Sequence, residues 1–426
     1  MVEIAACALV VSHGLCLLRL WLGFKRGKAP LAAEWVTLSC LLYYDLGLAM
    51  EAAGLRSLHF RALLEADRRV LALALLCMGI APWTVYVGSL VTGPSTRLAW
   101  HNLRATRHWK ALLLAILLID LAMLVGITWP LLRTGLPIYS LRYLIGPRMG
   151  PLIIVLYVPI GILAFLATRS ELTTVWGNLI LIGQAAVASA ILVPVGQRTL
   201  VLIPWLILLI SRARASAWRL AVYGALAIAM AAAMLLVFKP PVAVANPSYR
   251  NAALNTLGED LSRTGVLRQA LELSPPVGTT VLEYPAAGYR YALLFFAPRS
   301  LVPSKGYSTA LQFTAYLTGQ DVANLRWGYG VGVLEELSLN LGYLLVVPGL
   351  LLYGLAYGLL ERLAHRWSAA YLPLVLSAVW ICGYQISAVL LLHGTIFLVS
   401  LGLSVVFQAP SQLSISTEKQ AESSCE

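Results

Sequence analysis

Long apolar runs separated by short polar stretches dominate this chain, and within each run the apolar residues are continuous rather than alternating. A run of about 17–25 such residues spans one hydrocarbon core as a helix, because in lipid every backbone group must find its partner within its own segment. Eleven runs fit, over residues 3–23, 32–54, 70–93, 111–132, 151–168, 176–195, 199–211, 217–238, 341–361, 370–388 and 390–408. The seventh is short and follows the sixth closely. Barrel strands would alternate apolar and polar at every second residue, so the pattern predicts an all-α polytopic membrane protein of about eleven transmembrane helices.

One interval breaks the pattern. Residues 239–340 are rich in Arg, Tyr, Gly and Pro, and divide a bundle over 1–238 from C-terminal spans over 341–408; a polar tail over 409–426 reads as disordered. Inside the interval, Leu254, Leu257, Leu261, Val266, Leu267 and Leu271 recur at near-helical spacing, which predicts an amphipathic helix between Asn251 and Leu273. Ser274 to Gly278 reads as a turn, and Thr279 to Pro298 as an aromatic stretch carrying Tyr284, Tyr289, Tyr291, Phe295 and Phe296. Gly328 to Asn340 reads as a helix start leading into the ninth span.

Composition agrees with a membrane protein: 59% of residues are hydrophobic, 12% are charged and the mean hydropathy is +0.79, where soluble domains carry about 25% charged residues. No cleavable signal peptide is evident. Basic residues orient the bundle. With 24–30 on the cytoplasmic side, the cytoplasmic segments hold fourteen Lys and Arg against eight in the short segments opposite, so the N-terminus and the interval 239–340 are expected outside and the tail inside. Arg56, Arg61, Arg68 and Arg69 run against this, and their loop reads as an interfacial helix dipping Leu58, Phe60, Leu63 and Leu64 into lipid. Cys7, Cys16, Cys40, Cys77 and Cys382 lie in spans and Cys425 in the tail, which argues for packing rather than a disulfide framework.

Candidate chemistry gathers on basic residues set against apolar runs: Arg198 in Gly196-Gln197-Arg198, Arg299 in Pro298-Arg299-Ser300, and Lys305 in Pro303-Ser304-Lys305-Gly306. Desolvating such a charge costs several kcal/mol unless it meets an anion or a carboxylate, and the Arg fork suits phosphate. The plainer reading of each is a loop cation that snorkels to lipid headgroups. That reading is stronger for Arg142, Arg148, Arg250, Arg290 and Arg326 taken singly. Together, many Arg, few acids and abundant Tyr on one face suit an anionic lipid-linked substrate carrying sugar, with Tyr289 among the rings available for stacking.

Glu336 and Asn340 are four apart and share one helix face, whereas Glu335 points elsewhere. A carboxylate there could deprotonate a sugar hydroxyl or pair with an arginine to hold the interval down. Glu34, Asp45 and Glu51 fall in the second span and Asp120 in the fourth, for which helix-end snorkelling or a pair with Arg19 is the plain account. His13, His101 and His393 lie far apart, and the sequence has no metal-binding pair, phosphate-cradling Gly-rich loop or nucleophile elbow. No metal, cofactor or nucleic-acid partner is therefore expected.

Three ordered segments resemble the Wzy-type polymerases of O-antigen and capsule repeat units. They are Gly196-Gln197-Arg198-Thr199, Ala297-Pro298-Arg299-Ser300-Leu301-Val302-Pro303-Ser304-Lys305, and Glu336-Leu337-Ser338-Leu339-Asn340-Leu341-Gly342, within residues 177–355. The resemblance implies a glycosyltransferase C-like architecture in a bacterial inner membrane and a transferase active at the extracytoplasmic face. The implied reaction moves a growing glycan from undecaprenyl pyrophosphate onto a lipid-linked repeat unit, without a cofactor. It further implies that Arg198 and Arg299 bind pyrophosphate with Lys305 assisting, that Glu336 is the base, and that a flippase and a chain-length regulator are partners. Alternatives are an O-antigen ligase, whose external His-Asn pair would here be His101-Asn102 on the cytoplasmic side, and a lipid-linked oligosaccharide flippase, which needs no base.

Overall fold

The computed structural model describes residues 1–25, 30–54, 60–94, 116, 118–129, 133–134, 155–168, 175–192, 198–213, 262–295, 297, 300–325 and 328–407. Among these residues every regular element is helical and none is a strand. Four segments, Val2–Gly23, Arg68–Thr92, Tyr343–Arg366 and Ile386–Val406, are long and apolar enough to cross a membrane. They coincide with the runs read at 3–23, 70–93, 341–361 and 390–408. Shorter apolar helices occupy Val155–Ala167, Trp176–Leu192, Val201–Ser211 and Tyr371–Trp380. The run at 217–238 lies outside the described residues.

In chain order the helices are α1 (Val2–Lys25), α2 (Val36–Cys40), α3 (Leu46–Ala52), α4 (Arg68–Thr92), α5 (Val158–Ala167), α6 (Val175–Leu192) and α7 (Arg198–Ala213). After them come α8 (Thr264–Leu273), α9 (Ala287–Leu293), α10 (Thr309–Thr318), α11 (Val333–Leu341), α12 (Val346–Arg366), α13 (Tyr371–Trp380) and α14 (Ile386–Phe407). The second apolar run is one rod with a varying pitch: a 3-10 turn Ala32–Trp35, α2, a π turn Leu41–Asp45 and α3. The tenth run stops early. α13 ends at Trp380 and the chain turns at 381–384, where Gly383 sits so close under the Tyr43 ring that a Cβ would lie 2.3 Å from Cζ.

Small residues let the long helices approach. A Cβ on Gly354 of α12 would lie 2.3 Å from the Val85 carbonyl oxygen of α4, and one on Gly88 would lie 2.5 Å from that of Leu351. Gly354 and Gly358 therefore form a small-x-x-x-small seam, tied by Thr92 Oγ1 donating to the Leu355 carbonyl at 2.6 Å. Faces left outside the bundle are apolar, with Val10, Val11 and Leu18 on α1, Leu352 and Leu359 on α12, and Leu398 and Val406 on α14 all exposed. That distribution matches a lipid-facing surface around a packed interior.

Several polar side chains inside the bundle are paired, although both ring nitrogens of the buried His393 have no hydrogen-bond partner among the described residues. Arg19 Nε donates to Glu34 Oε1 at 2.6 Å, as the sequence suggested. Asp45 instead meets His13, Asp120 accepts from Gln184, and Glu51 accepts from Thr264 Oγ1. The five cysteines among the described residues are free, with Cys7 exposed and Cys40 and Cys382 buried with their sulfurs 3.7 Å apart.

Residues 262–341 form a layer on the bundle with a small core of their own, made by Val266, Ala270, Ala310, Phe313, Val331 and Leu339. The amphipathic helix expected over 251–273 is present from Thr264; residues 251–261 lie outside the described set. The loop before α4 differs from expectation. Its ordered element is a 3-10 turn, Leu63–Glu65, with Leu63 fully buried, and Phe60 stacks on Phe313 at 6.5 Å and meets Tyr329 edge-on at 4.7 Å. Protein rather than lipid covers Phe60 and Leu63, because α8 and α10 offer an apolar face that the loop can bury.

Candidate functional site

Helix α11 is short and sharply bounded. Its first free N–H groups are satisfied by Glu335 Oε2, which accepts from Gly332 N at 2.9 Å, and by the Ile381 carbonyl, which accepts from Val333 N at 3.0 Å. It ends at Gly342, whose φ of +92° favours glycine and releases the chain toward α12. Both carboxyls lie in its first turn, and the helical spacing sends Glu335 and Glu336 in different directions.

Three segments close over the Glu336 face. Thr309 Oγ1, at the start of α10, donates to Glu336 Oε1 at 3.1 Å, and Ile386 N, opening α14, donates to Oε2 at 2.6 Å. Asn340 Nδ2 donates to Thr309 Oγ1 at 3.1 Å and to the Glu336 carbonyl at 2.7 Å, while its Oδ1 accepts from Gly288 N at 2.9 Å. The α9 backbone must come this close: a Cβ on Gly288 would lie 1.9 Å from Thr309 Oγ1. Ala286, in left-handed geometry with φ 64°, donates its N–H to the Asn340 carbonyl. Gln385 completes the knot by accepting from Ala310 N at 3.1 Å.

Glu335 faces the second-run rod. Its Oε2 also accepts from Tyr44 Oη at 3.0 Å, and its buried Oε1 has no hydrogen-bond partner. The Arg263 guanidinium is within electrostatic reach. Arg263 donates through Nη2 to the Gly383 carbonyl at 3.2 Å and lies 6.0 Å from the Tyr43 ring centre, and its Nε is buried without a partner. Gly330 leaves room for it, since a Cβ there would meet Nη2 at 2.6 Å.

Burial dominates the acid–base character of both carboxyls. It pushes Glu336 up to about 8, against the opposing hydrogen bonds from Ile386 and Thr309 and with help from the neighbouring Glu335 charge. Burial likewise pushes Glu335 up to about 7, against hydrogen bonds to its carboxylate and the Arg263 charge. Two adjacent carboxyls with raised proton affinity thus sit on the short helix α11, which precedes the membrane-length segment Tyr343–Arg366, and raised proton affinity of this kind suits acid–base groups.

The sequence-derived candidates divide. Glu336 and Asn340 are joined in one network, on one face as expected; Glu336 makes no ion pair among the described residues. Tyr289 packs against the main core with its hydroxyl within electrostatic reach of Glu336. Arg290 is exposed and ties Tyr284 Oη to Ser304 Oγ, each at 3.0 Å. Lys305 is buried and donates to the Phe295 and Ala297 carbonyls at 3.0 and 2.9 Å, so it staples its own loop. Arg198 opens α7; its side chain, like Arg142, Arg148, Arg250, Arg299 and Arg326, lies outside the described residues.

Arg263, Thr309, Gln385 and the pairing of Glu335 with Tyr44 were missed. Each contact joins residues far apart in sequence, and only Arg263 left a signal, as a cation set just before an apolar-periodic helix. Among the described residues no three His, Cys, Asp or Glu side chains gather as a metal site would. No family model, curated protein or solved structure matches the chain.

Proposed function

We propose that this chain is a membrane glycosyltransferase of the Wzy polymerase type, joining undecaprenyl-pyrophosphate-linked oligosaccharide repeats at the extracytoplasmic face of a bacterial inner membrane. The observation that carries the reading is the buried Glu336 carboxyl at the head of the membrane-length segment Tyr343–Arg366, gripped by Thr309, Asn340 and Ile386. A group of raised proton affinity is a stronger base than an ordinary glutamate, which suits removal of a proton from a sugar hydroxyl. The activity implies a bundle of about eleven spans with one outer layer; the four membrane-length helices among the described residues support that reading.

The chemistry balances without a nucleotide. The acceptor hydroxyl oxygen bonds to the anomeric carbon of the donor glycan, the bond from that carbon to pyrophosphate breaks, and the hydroxyl proton passes to Glu336. Charge develops on the departing lipid pyrophosphate, where fixed guanidinium groups stabilise it. Arg198 and Arg299 are assigned that role, with Arg142, Arg250 and Arg326 as further contacts. Lys305, which also donates to the carbonyls of Phe295 and Ala297, is assigned to assist them. Arg290 and Tyr289 belong to the α9 wall, where a sugar would stack.

The test is reconstitution of the purified chain with lipid-linked repeat units. A ladder of products with release of undecaprenyl pyrophosphate supports the polymerase; transfer to a lipid A core alone indicates a ligase, and movement across the membrane without new bonds indicates a flippase, and either outcome overturns the proposal. Chelator should leave the ladder intact.

A further inference from the structure

A second ionisable centre, a buried histidine beside a half-buried aspartate, lies halfway along α1, apart from α11. His13 is 3% exposed. Its Nδ1 is 2.6 Å from Asp45 Oδ2, and its Nε2 is 3.1 Å from the Met78 carbonyl oxygen. A carbonyl only accepts, so Nε2 must carry a hydrogen. Nδ1 and a carboxylate oxygen cannot approach this closely unless a proton lies between them, for otherwise two lone pairs would face each other. The pair is therefore imidazolium with carboxylate, or imidazole with carboxylic acid. Either way it holds one shared proton and is neutral as a whole.

The position is mid-membrane. His13 is the twelfth of 24 residues in α1 and Met78 the eleventh of 25 in α4. At about 1.5 Å per residue the pair is roughly 17 Å from either end of α1, near the centre of a hydrocarbon core about 30 Å thick. Ionisable groups at that depth are costly unless paired, and mark ion or proton pathways. Asp45 Oδ1 is buried with no hydrogen-bond partner, so the carboxyl is not saturated by structural contacts.

Asp45 also closes the π turn Leu41–Asp45, a distortion that recurs at functional sites. Three consecutive residues of this turn face three partners. The Tyr43 carbonyl accepts from Arg263 N at 2.8 Å, Tyr44 Oη donates to Glu335, and Asp45 meets His13. The ionisable groups nearest to the pair along the packed segments are Cys7, Cys16 and Arg19 on α1, Cys40, Tyr43, Tyr44 and Glu51 on the second-run rod, and Cys77 and Tyr86 on α4. Arg19 is engaged by Glu34, and neither His13 nor Asp45 has another ion-pair partner among the described residues.

We propose that His13 and Asp45 form a proton-binding site at the middle of the bundle, and that the π turn couples its occupancy to the Glu335 carboxyl. The ligand is a proton exchanged with water. The proposal does not rest on the glycosyl-transfer reading.

The test uses the full chain, ¹⁵N-labelled at histidine, in lipid nanodiscs. The His13 signal is assigned by its loss in His13→Gln. It is expected to report a hydrogen on Nε2 and a second, shared hydrogen at Nδ1, and to lose the shared one in Asp45→Asn. A His13 signal that ignores Asp45→Asn, or that shows no shared hydrogen in wild type, overturns the site. Should Asp45→Asn fail to fold, Asp45→Glu keeps the acid and must still shift the signal. For coupling, the infrared carboxyl band of Glu335, identified by its loss in Glu335→Gln, should shift in Asp45→Asn and no longer do so when Tyr44→Phe is added. A Glu335 band indifferent to Asp45→Asn overturns the coupling.

Discussion

Replacing Glu336 by Gln separates the charge of this residue from its shape. Gln fits the same volume, its oxygen can accept from Ile386 N, and its amide can donate to Thr309 Oγ1, which also receives Asn340 Nδ2. A hydroxyl has two lone pairs, so both donations fit, and the unpaired Thr309 hydrogen costs about 1 kcal/mol. The variant should therefore fold. Its stability should respond to pH differently. Glu336 ionises at about 8 in the fold and at 4.5 as an ordinary glutamate. Below 4.5 both states hold the proton and stability is complete. As pH rises from 4.5, the unfolded chain gives the proton up while the fold keeps it, so stability falls until about 8 and then levels. One such carboxyl gives a slope of about 1.4 kcal/mol per pH unit, on the order of 5 kcal/mol across the window. Glu335, pushed to about 7, adds the same sign up to that pH. Denaturation of the purified chain in mixed micelles between pH 5 and 7 should show about half the wild-type slope in Glu336→Gln. Equal slopes would refute the argument that the fold holds a proton on Glu336.

Other substitutions probe the neighbouring layers. Arg263→Gln removes a charge that favours ionised Glu335, so the falling part of the stability curve assigned to Glu335 should extend above pH 7, and an unmoved limit would contradict the assigned contact. Gly354→Leu sets a branched side chain where a Cβ alone would lie 2.3 Å from a carbonyl oxygen; the loss should be at least 1–3 kcal/mol, read as a lower unfolding midpoint, and an unchanged midpoint would show that α4 and α12 are not in close contact. Lys305→Met removes two charge-assisted hydrogen bonds, each worth about 1.5–3 kcal/mol, so protease cleavage between Phe295 and Pro303 should accelerate tenfold or more; unaltered cleavage would remove Lys305 as the staple of that loop.

Parts of this architecture can be read from the chain because lipid imposes one rule on every spanning helix. Continuous apolar length located α1, α4, α12 and α14, and the i, i+4 spacing of Glu336 and Asn340 located the network face. Apolar length cannot mark a turn made of apolar residues, so the tenth run overran the bend at Cys382 and Gly383, which depends on the Tyr43 ring across the bundle. It cannot mark a π turn either, because that distortion accompanies the contact of Asp45 with His13 on another helix. Phe60 and Leu63 carried an honest apolar signal, but a pattern says only that a face is covered and not whether lipid or protein covers it. Lys305 stood out because a cation among apolar residues needs a partner, but the spacing could not reveal that the carbonyls of Phe295 and Ala297 are among its partners. Arg263 and Glu335 went unpaired in the sequence because the residues between them give no clue to their proximity.

The most direct measurement is the initial rate of repeat-unit transfer by the reconstituted chain as a function of pH, for wild type and for Glu336→Gln shown to be folded. A base must be ionised to accept a proton, so the wild-type rate should climb with pH and level above about 8, where Glu336 ionises. Glu336→Gln should lose about 100-fold or more at every pH. A Gln variant that builds the product ladder at the wild-type rate, or a wild-type rate that falls as pH approaches 8, would contradict the account.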